Sequence, residues 1–333
     1  MKNIGFCGLP NSGKSTFLKL LTKFEAEIGN YPFTTKKSQI AQAKVVSENL
    51  KKLHGFTKTK NLIPPFLNFL DVPGLIKGSH KGLGLGNEFL SYLRQADIIL
   101  EIVRNFKRED VIHPEGDINP QRDIILIEEE IIMADKKILE ENITKLKKQP
   151  QNKDKLEAML FIYSKIEPFK RFTEYDDILK EYNLLITKDW YLVLNGGLNF
   201  NYNDFENLCF KKIYNLDFQF ELEIENDVEM RKIYSGNTNL FLNNLRKDIG
   251  LIEFFTYTNE ITQGWFIDKN SCILKACELI HSDFAKKFKY AEVFNINNLE
   301  KVENIKNIKE FGLVRNVGKD YTVEEGDIIK IFI

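Results

Sequence analysis

Cysteine is scarce in this chain: Cys7, Cys209, Cys272 and Cys277 are its only four. They lack the paired spacing of a zinc site, and Cys272 and Cys277 read as one helix face. Reduced, buried thiols are the expectation. No apolar run approaches the roughly 18 residues that a membrane span needs. No leader-like segment precedes the first strand, which starts almost at Met1. A cytoplasmic protein with no membrane partner is therefore expected. An excess of one charge is missing too. The 47 basic and 48 acidic residues leave a formal net charge of −1. Nothing global argues for nucleic acid, and no DNA partner is expected; only a local basic patch could meet such a surface.

What is present is enough for a large core. Hydrophobic residues make up 43% and charged residues 29% of the chain, as in globular proteins. Its length allows about two or three domains. The most informative stretch is Gly8-Leu9-Pro10-Asn11-Ser12-Gly13-Lys14-Ser15-Thr16, which fits G-x-x-x-x-G-K-[ST]. Glycines let the backbone turn tightly and aim N–H groups at a phosphate. Lys14 can reach the β- and γ-phosphates, and the Ser15 hydroxyl can ligate Mg²⁺. The context supports the motif. Ile4 to Cys7 reads as a strand and Thr16 to Leu21 as a helix start, so phosphate would sit at a helix N-terminus. Asn11, Ser12, Gly13, Lys14, Ser15 and Thr16 are the expected nucleotide contacts.

Asn30-Tyr31-Pro32-Phe33-Thr34-Thr35 reads as a loop. In P-loop switch proteins a loop threonine here completes the Mg²⁺ shell; Thr35 is the first choice and Thr34 the second. A turn whose threonines bond their own backbone is the plainer alternative. Phe66 to Leu70 reads as a strand ending at Asp71-Val72-Pro73-Gly74. Asp71 stands at the Walker-B position for Mg²⁺, and Gly74 lets a backbone N–H approach the γ-phosphate. Many GTPases place a water-orienting Gln next. Leu75 stands there and has no hydrogen-bonding side-chain atom. Hydrolysis is thus slow or served by another group, with no catalytic residue assigned. His80, in the glycine-rich segment from Gly78 to Gly86, is a weak candidate against a solvated loop histidine.

Ala96 to Val103 reads as a further buried strand, making the first part βαβ with a mostly parallel sheet. From Asp123 to about Lys148, and from Lys155 towards Phe172, apolar residues recur at helical spacing. The two helices make a hairpin, either simply solvated outside or serving as a partner arm. Trp190 to Leu194 reads as a late strand ending in Asn195-Gly196-Gly197-Leu198. Asn195, with Gly196, can meet the base edge through its amide. Guanine-specific relatives carry an acidic residue three positions later. Leu198 cannot accept those protons, so guanine selectivity is disfavoured. After Gly250, strands are expected at 254–257, 264–267, 291–294, 321–323 and 328–333. A helix is expected from Ser271, its possible N-cap, to Phe284. That is an α+β, ubiquitin-like arrangement.

The chain closely resembles the YchF, or Obg-like ATPase, family of P-loop NTPases. The resemblance rests on Gly8 to Thr16, Asn30 to Thr35, Asp71 to Leu75 and Lys81 to Leu90. It continues through His113 to Gly116, Asn119 to Ile124, Phe254 to Thr256, Ile280 to Phe284, Ala291 to Val293 and Gly318 to Tyr321. It implies an α/β P-loop NTPase domain at 1–122 and 184–249, interrupted by a helical coiled-coil arm at 123–183. It also implies a C-terminal β-grasp TGS domain at 250–333. The implied activity is slow hydrolysis of ATP in preference to GTP, with Mg²⁺. The implied partner is the ribosome, met through the arm and the TGS domain by a monomer linked to translation and stress. Asn11 occupies a position at which some relatives ligate K⁺. The family's usual Asn-x-x-Glu is departed from at Leu198. Its later base-supporting loop is unrecognisable, with Asp217-Phe218-Gln219 the nearest stretch. The alternatives are a regulatory scaffold with negligible turnover or relaxed ATP/GTP preference, and a small-molecule phosphotransferase. The latter would need a lid with paired arginines, which is not visible.

Overall fold

The computed structural model describes residues 2–26, 40–70, 85–197, 205, 208–233, 236–302 and 305–333. In chain order its first strands and helices are β1 (Asn3–Cys7), α1 (Lys14–Ala26), β2 (Ile40–Lys44), α2 (Glu48–Thr57), β3 (Asn61–Ile63) and β4 (Phe66–Leu70). Next come α3 (Leu85–Arg94), β5 (Ile98–Arg104), α4 (Pro120–Leu146), α5 (Lys153–Lys165), α6 (Asp176–Leu179) and β6 (Asp189–Asn195). Then follow β7 (Ile213–Leu216), α7 (Phe218–Asn226), α8 (Val228–Ile233), α9 (Thr238–Asp248), β8 (Leu251–Tyr257) and β9 (Ile261–Asp268). The last are α10 (Ile273–Ile280), α11 (Phe284–Lys287), β10 (Tyr290–Asn295), β11 (Arg315–Val317) and β12 (Asp327–Phe332). Two compact units result, one of residues 2–42 and 68–237, the other of 43–67 and 238–333.

The first unit is built on the sheet β2-β4-β1-β5-β6-β7. β1 pairs in parallel with β4 and β5, β5 with β6, and β6 with β7. Every residue of β5 is buried, as expected of a central parallel strand covered on both faces. Among the described residues no helix is long and apolar enough to cross a membrane.

The helical hairpin grows out of the same core. Asn119 caps α4, accepting from the Arg122 N–H at 3.1 Å, and Pro120 fills the first helical position. The inner face of α4 presents Ile127, Ile131, Leu139 and Ile143 to a cluster holding Met159 and Ile162 of α5. The same cluster reaches Cys7 and Leu9 at the P-loop and Trp190 of β6. The apolar stripe is broken by Asp135, which is fully buried. It pairs with Arg94 of α3 at 2.6 Å and accepts the Ile186 N–H at 2.9 Å. α5 stops at Lys165, short of the expected Phe172. Pro168 disfavours helix at the residue before it, and Ile166 is already extended.

The second unit is organised on the sheet β11-β10-β12-β8-β9-β3. β8 and β9 are antiparallel with Phe255 opposite Gly264, whereas β3 runs parallel to β9 with Asn61 opposite Ile261. A strand from early in the chain therefore completes this sheet. α2, capped by Ser47 accepting from the Leu50 N–H at 3.0 Å, adds Leu50 and Leu53 to a cluster with Phe255 and Ile328. Three local expectations are corrected. The N-cap of α10 is Cys272, not Ser271, and no side chain bonds the first turn. That helix ends at Ile280, where His281 is extended, and α11 starts separately. Tyr321 to Val323 form no strand; Thr322 makes one isolated bridge to Cys272, while the edge strand is β11.

Candidate functional site

The loop from Gly8 to Gly13 joins β1 to α1. Gly8 has φ +150°, and a Cβ there would lie 2.3 Å from the Ile102 carbonyl oxygen. Gly13 has φ +108°, and a Cβ there would lie 2.1 Å from Asn195 Nδ2. Neither position admits a side chain, which explains the motif's glycines sterically. Asn11 takes the left-handed conformation, φ 62°, which asparagine tolerates best among non-glycine residues. The Lys14 ammonium donates to the carbonyls of Gly8 (2.8 Å) and Leu9 (2.7 Å) and to Ser12 Oγ (3.4 Å). Its charge is therefore held inside the curl of the loop. Ser15 is exposed on the first turn of α1 and Thr16 is half-buried beside it. This donor set fits a polyphosphate and one hydroxyl ligand of Mg²⁺.

Lys14 keeps some exposed surface, yet the loop around its ammonium removes enough water to push its pKa down to about 8. A bound phosphate favours the charged form, so nucleotide binding should raise that pKa again. Affinity then falls as pH rises through about 8, and binding above it takes up a proton. Calorimetry at pH 8.5 in two buffers of different ionisation enthalpy should show uptake of roughly three quarters of a proton. No difference between buffers would refute the assignment.

The opposite wall is formed where β6 and β7 end. Asn195 is buried at 3% exposure. Its Nδ2 donates to the Ser12 carbonyl at 2.9 Å, and its Oδ1 accepts the Phe218 N–H at 3.1 Å. The residue expected to meet the base thus braces the P-loop against the start of α7. One amide hydrogen and one lone pair stay uncommitted among the described residues. Gly196 has φ +134°, and a Cβ there would strike the Asn105 carbonyl oxygen at 2.3 Å. Asp217, following β7, caps α7 through Oδ1, while its Oδ2 lies 3.8 Å from an ideal Cβ on Gly197. The stretch Asp217-Phe218-Gln219, without a recognisable motif, is therefore brought beside Asn195 and Gly197. Phe218 also stacks on Phe17 of α1 at 4.5 Å. Thr34, Thr35, Asp71, Gly74, Leu75, His80 and Leu198 lie outside the described residues. The strand before Asp71 is β4, whose Leu70 stands opposite Gly5 of β1.

Sequence reasoning missed two features. The first is a clamp from the P-loop to the root of α4. Asn11 Nδ2 donates to the Ile112 carbonyl at 3.0 Å. Buried Arg104 holds that loop by donating to the carbonyls of Phe106 (3.1 Å) and Val111 (3.0 Å). His113 Nδ1 accepts the Glu115 N–H at 3.1 Å, which leaves the proton on Nε2 to be donated to Asp123 Oδ2 at 2.9 Å. His113 and Asp123 were visible as parts of the family-like stretches, but no role could be read from them. The second is Glu101, on β5 opposite Cys7. Both its oxygens lack a hydrogen-bond partner among the described residues. Burial first, and the Glu128 carboxylate second, push its pKa well above the usual carboxyl range, which favours the protonated form. Burial likewise keeps the Cys7 thiol protonated.

A glycine loop leading from a parallel strand into a helix, a half-buried lysine and a brace from a late strand define a P-loop nucleotide-binding protein of the GTPase type. A family model described as a 50S ribosome-binding GTPase matches residues 3–141. A model for the C-terminal part of YchF GTPases, described as a protein of unknown function (DUF933), matches residues 251–333. Among curated proteins, the ribosome-binding ATPase YchF of Buchnera aphidicola subsp. Schizaphis graminum is 33% identical, over 98% of this chain and 97% of that one. The Bacillus subtilis protein of the same name is 31% identical over 98% and 97%. Obg-like ATPase 1 of Pongo abelii is 32% identical over 98% of this chain and 91% of its own. The solved YchF GTPase of Schizosaccharomyces pombe superposes with a TM-score of 0.85 at 26% identity, covering 99% of this chain and 97% of that one. The chain belongs to the YchF, or Obg-like ATPase, family.

Proposed function

We propose that this protein is a ribosome-associated switch that binds ATP with Mg²⁺ and hydrolyses it slowly. The observation that carries this reading is the complete phosphate loop around Lys14, in a chain matched over nearly its whole length by relatives named ribosome-binding ATPases. The amides of the loop and Lys14 hold the β- and γ-phosphates. Ser15, Thr35 and Asp71 would hold Mg²⁺, which supplies charge neutralisation of the transferring phosphoryl group. Thr35 and Gly74 sense the γ-phosphate. With Leu75 offering no atom to orient water, turnover falls below about 1 s⁻¹, in the range of unassisted switch proteins. Residues 250–333 act as a TGS module and, with the helical arm, meet the ribosome in the cytoplasm. Asn11 Oδ1 offers a ligand for K⁺.

A second reading is a nucleotide-dependent scaffold with negligible turnover or relaxed ATP/GTP preference. Leu198 favours it, and so does the naming of the S. pombe protein as a GTPase beside the ATPase names of the curated relatives. Binding and single-turnover hydrolysis of ATP and GTP, each in K⁺ and in Na⁺, separate the two. The favoured reading requires tighter ATP than GTP binding and measurable γ-phosphate release from ATP; a K⁺ ligand at Asn11 adds faster release in K⁺. Tight binding of both nucleotides without release establishes the scaffold. Equal rates in K⁺ and Na⁺ remove the role of Asn11.

A further inference from the structure

We propose that the tip of the α4–α5 hairpin binds the phosphate backbone of helical RNA through Lys145, Lys147, Lys148 and Lys153. The inference rests on the ribosome-associated reading and names which part of the arm makes the contact and with what chemistry. Residues 142–153 contain these four lysines and no acidic residue, in a chain whose formal net charge is −1. The body of α4 is different, with Glu128, Glu129, Glu130, Glu140 and Glu141 interspersed among its lysines. Lys145, Lys147, Lys148 and Lys153 are all exposed. The first three make no ion pair among the described residues, and Lys153 has only a loose one, 3.6 Å from Glu157.

Helix electrostatics accounts for only part of the cluster. Cations at the C-terminal end of α4 complement its dipole, but Lys153 opens α5, where a cation is disfavoured. The turn beneath them is preformed. Gln149 N–H donates to Leu146 O at 2.9 Å, Asn152 N–H to Gln149 O at 3.0 Å, and Asn152 Nδ2 to Gln149 Oε1 at 2.7 Å. Leu146 is buried under it. The lysines are thus carried on a fixed platform at the end of a helix about 40 Å long, which reduces the ordering cost of binding. Gln149 and Gln151 add uncharged groups suited to phosphate and sugar oxygens. No aromatic residue lies between 142 and 155, so no base can be stacked there. That combination fits backbone recognition of a helical RNA, not reading of single-stranded bases.

The test uses the full chain and its Lys145→Gln/Lys147→Gln/Lys148→Gln variant. Binding to purified ribosomes and to a labelled RNA hairpin of stated sequence is measured from 50 to 200 mM KCl, with ATP affinity and thermal stability as controls. Loss of three phosphate contacts should lower the slope of log affinity against log salt by about 2–3, and RNA affinity at 50 mM by about tenfold or more. ATP affinity should not change, and the melting temperature should stay within about 5 °C of the wild type, the lost dipole contacts being small. If ribosomes bind the variant as well as the wild type, the tip is not the contact, while the ribosome-associated reading stands. If the variant loses ribosomes yet keeps the wild-type RNA affinity and slope, the partner is an acidic protein surface and the RNA assignment is overturned. If the wild-type chain does not bind ribosomes at all, both readings fall.

Discussion

Replacing Arg171 with alanine should cost about 3–5 kcal/mol of stability, because it strips the counter-charge from a buried carboxylate. Arg171 grips Glu128 through two bonds of 2.7 and 2.8 Å and lies 4.8 Å over the Trp190 ring. The side chains are 9% and 1% exposed. Without the guanidinium, the Glu128 carboxylate faces the buried Glu101 carboxyl with only the Phe169 N–H, at 3.0 Å, to offset its charge. The melting temperature should fall by on the order of 10 °C, measured in a thermal scan of the full chain. The double replacement Arg171→Met with Glu128→Leu should recover most of the loss, since removing both charges removes the desolvation problem. A loss below about 1 kcal/mol for Arg171→Ala would mean that the pair behaves like a surface ion pair. Glu101→Gln should act in the opposite direction. The folded pKa of Glu101 is raised above its unfolded value. The native state therefore holds a proton that the unfolded chain gives up, and the wild type loses stability as pH rises past the ordinary carboxyl range. The variant should gain most at high pH and least where both states are protonated.

Lys14→Ala should weaken ATP binding by roughly 10²–10³-fold, the scale expected when one partner of a partly desolvated, charge-assisted contact is cut away. The fold itself should tolerate the change. The acceptors of Lys14 are two loop carbonyls and one hydroxyl, so the structural cost is about 1–2 kcal/mol of lost bonding. The control is Asn195→Ala. That variant should lose both nucleotide affinity and stability, since Asn195 ties Ser12 to Phe218 inside the protein. Unchanged ATP affinity in Lys14→Ala would remove the nucleotide site from this loop.

How much of this was legible follows from the range of the interactions. The P-loop, β4 at Phe66–Leu70 and the pair β8–β9 are encoded by neighbouring residues, through glycine, proline and apolar alternation. The hairpin was visible in its period, but Asp135 hid inside it. Its partners Arg94 and Ile186 lie on other elements, and an acid within a helical stripe reads as a surface residue. Glu101 is the same case in a strand. Its neighbours make β5 apolar, and only the folded chain brings Glu128 and Arg171 near it. Asn195 was recognisable as a motif residue, whereas its role as a brace depends on Ser12, 183 positions away. The membership of β3 in the second sheet was beyond any local pattern. A three-residue strand has too little periodicity to declare its partner.

That short strand governs the order in which the protein can be made. Two hundred residues separate Ile63 from its partner Gln263. During synthesis at about 5–20 residues per second, β3 waits roughly 10–40 s before the strand it must join exists. For most of that interval α2 also lacks Phe255, and Ile328, which with it covers Leu50 and Leu53, comes later still. The nascent chain thus carries an unpaired strand and an uncovered apolar helix face until β9 and the strands after it have emerged. The second unit cannot be completed from its C-terminal stretch alone, and its sheet cannot take in β3 before β9 has been made.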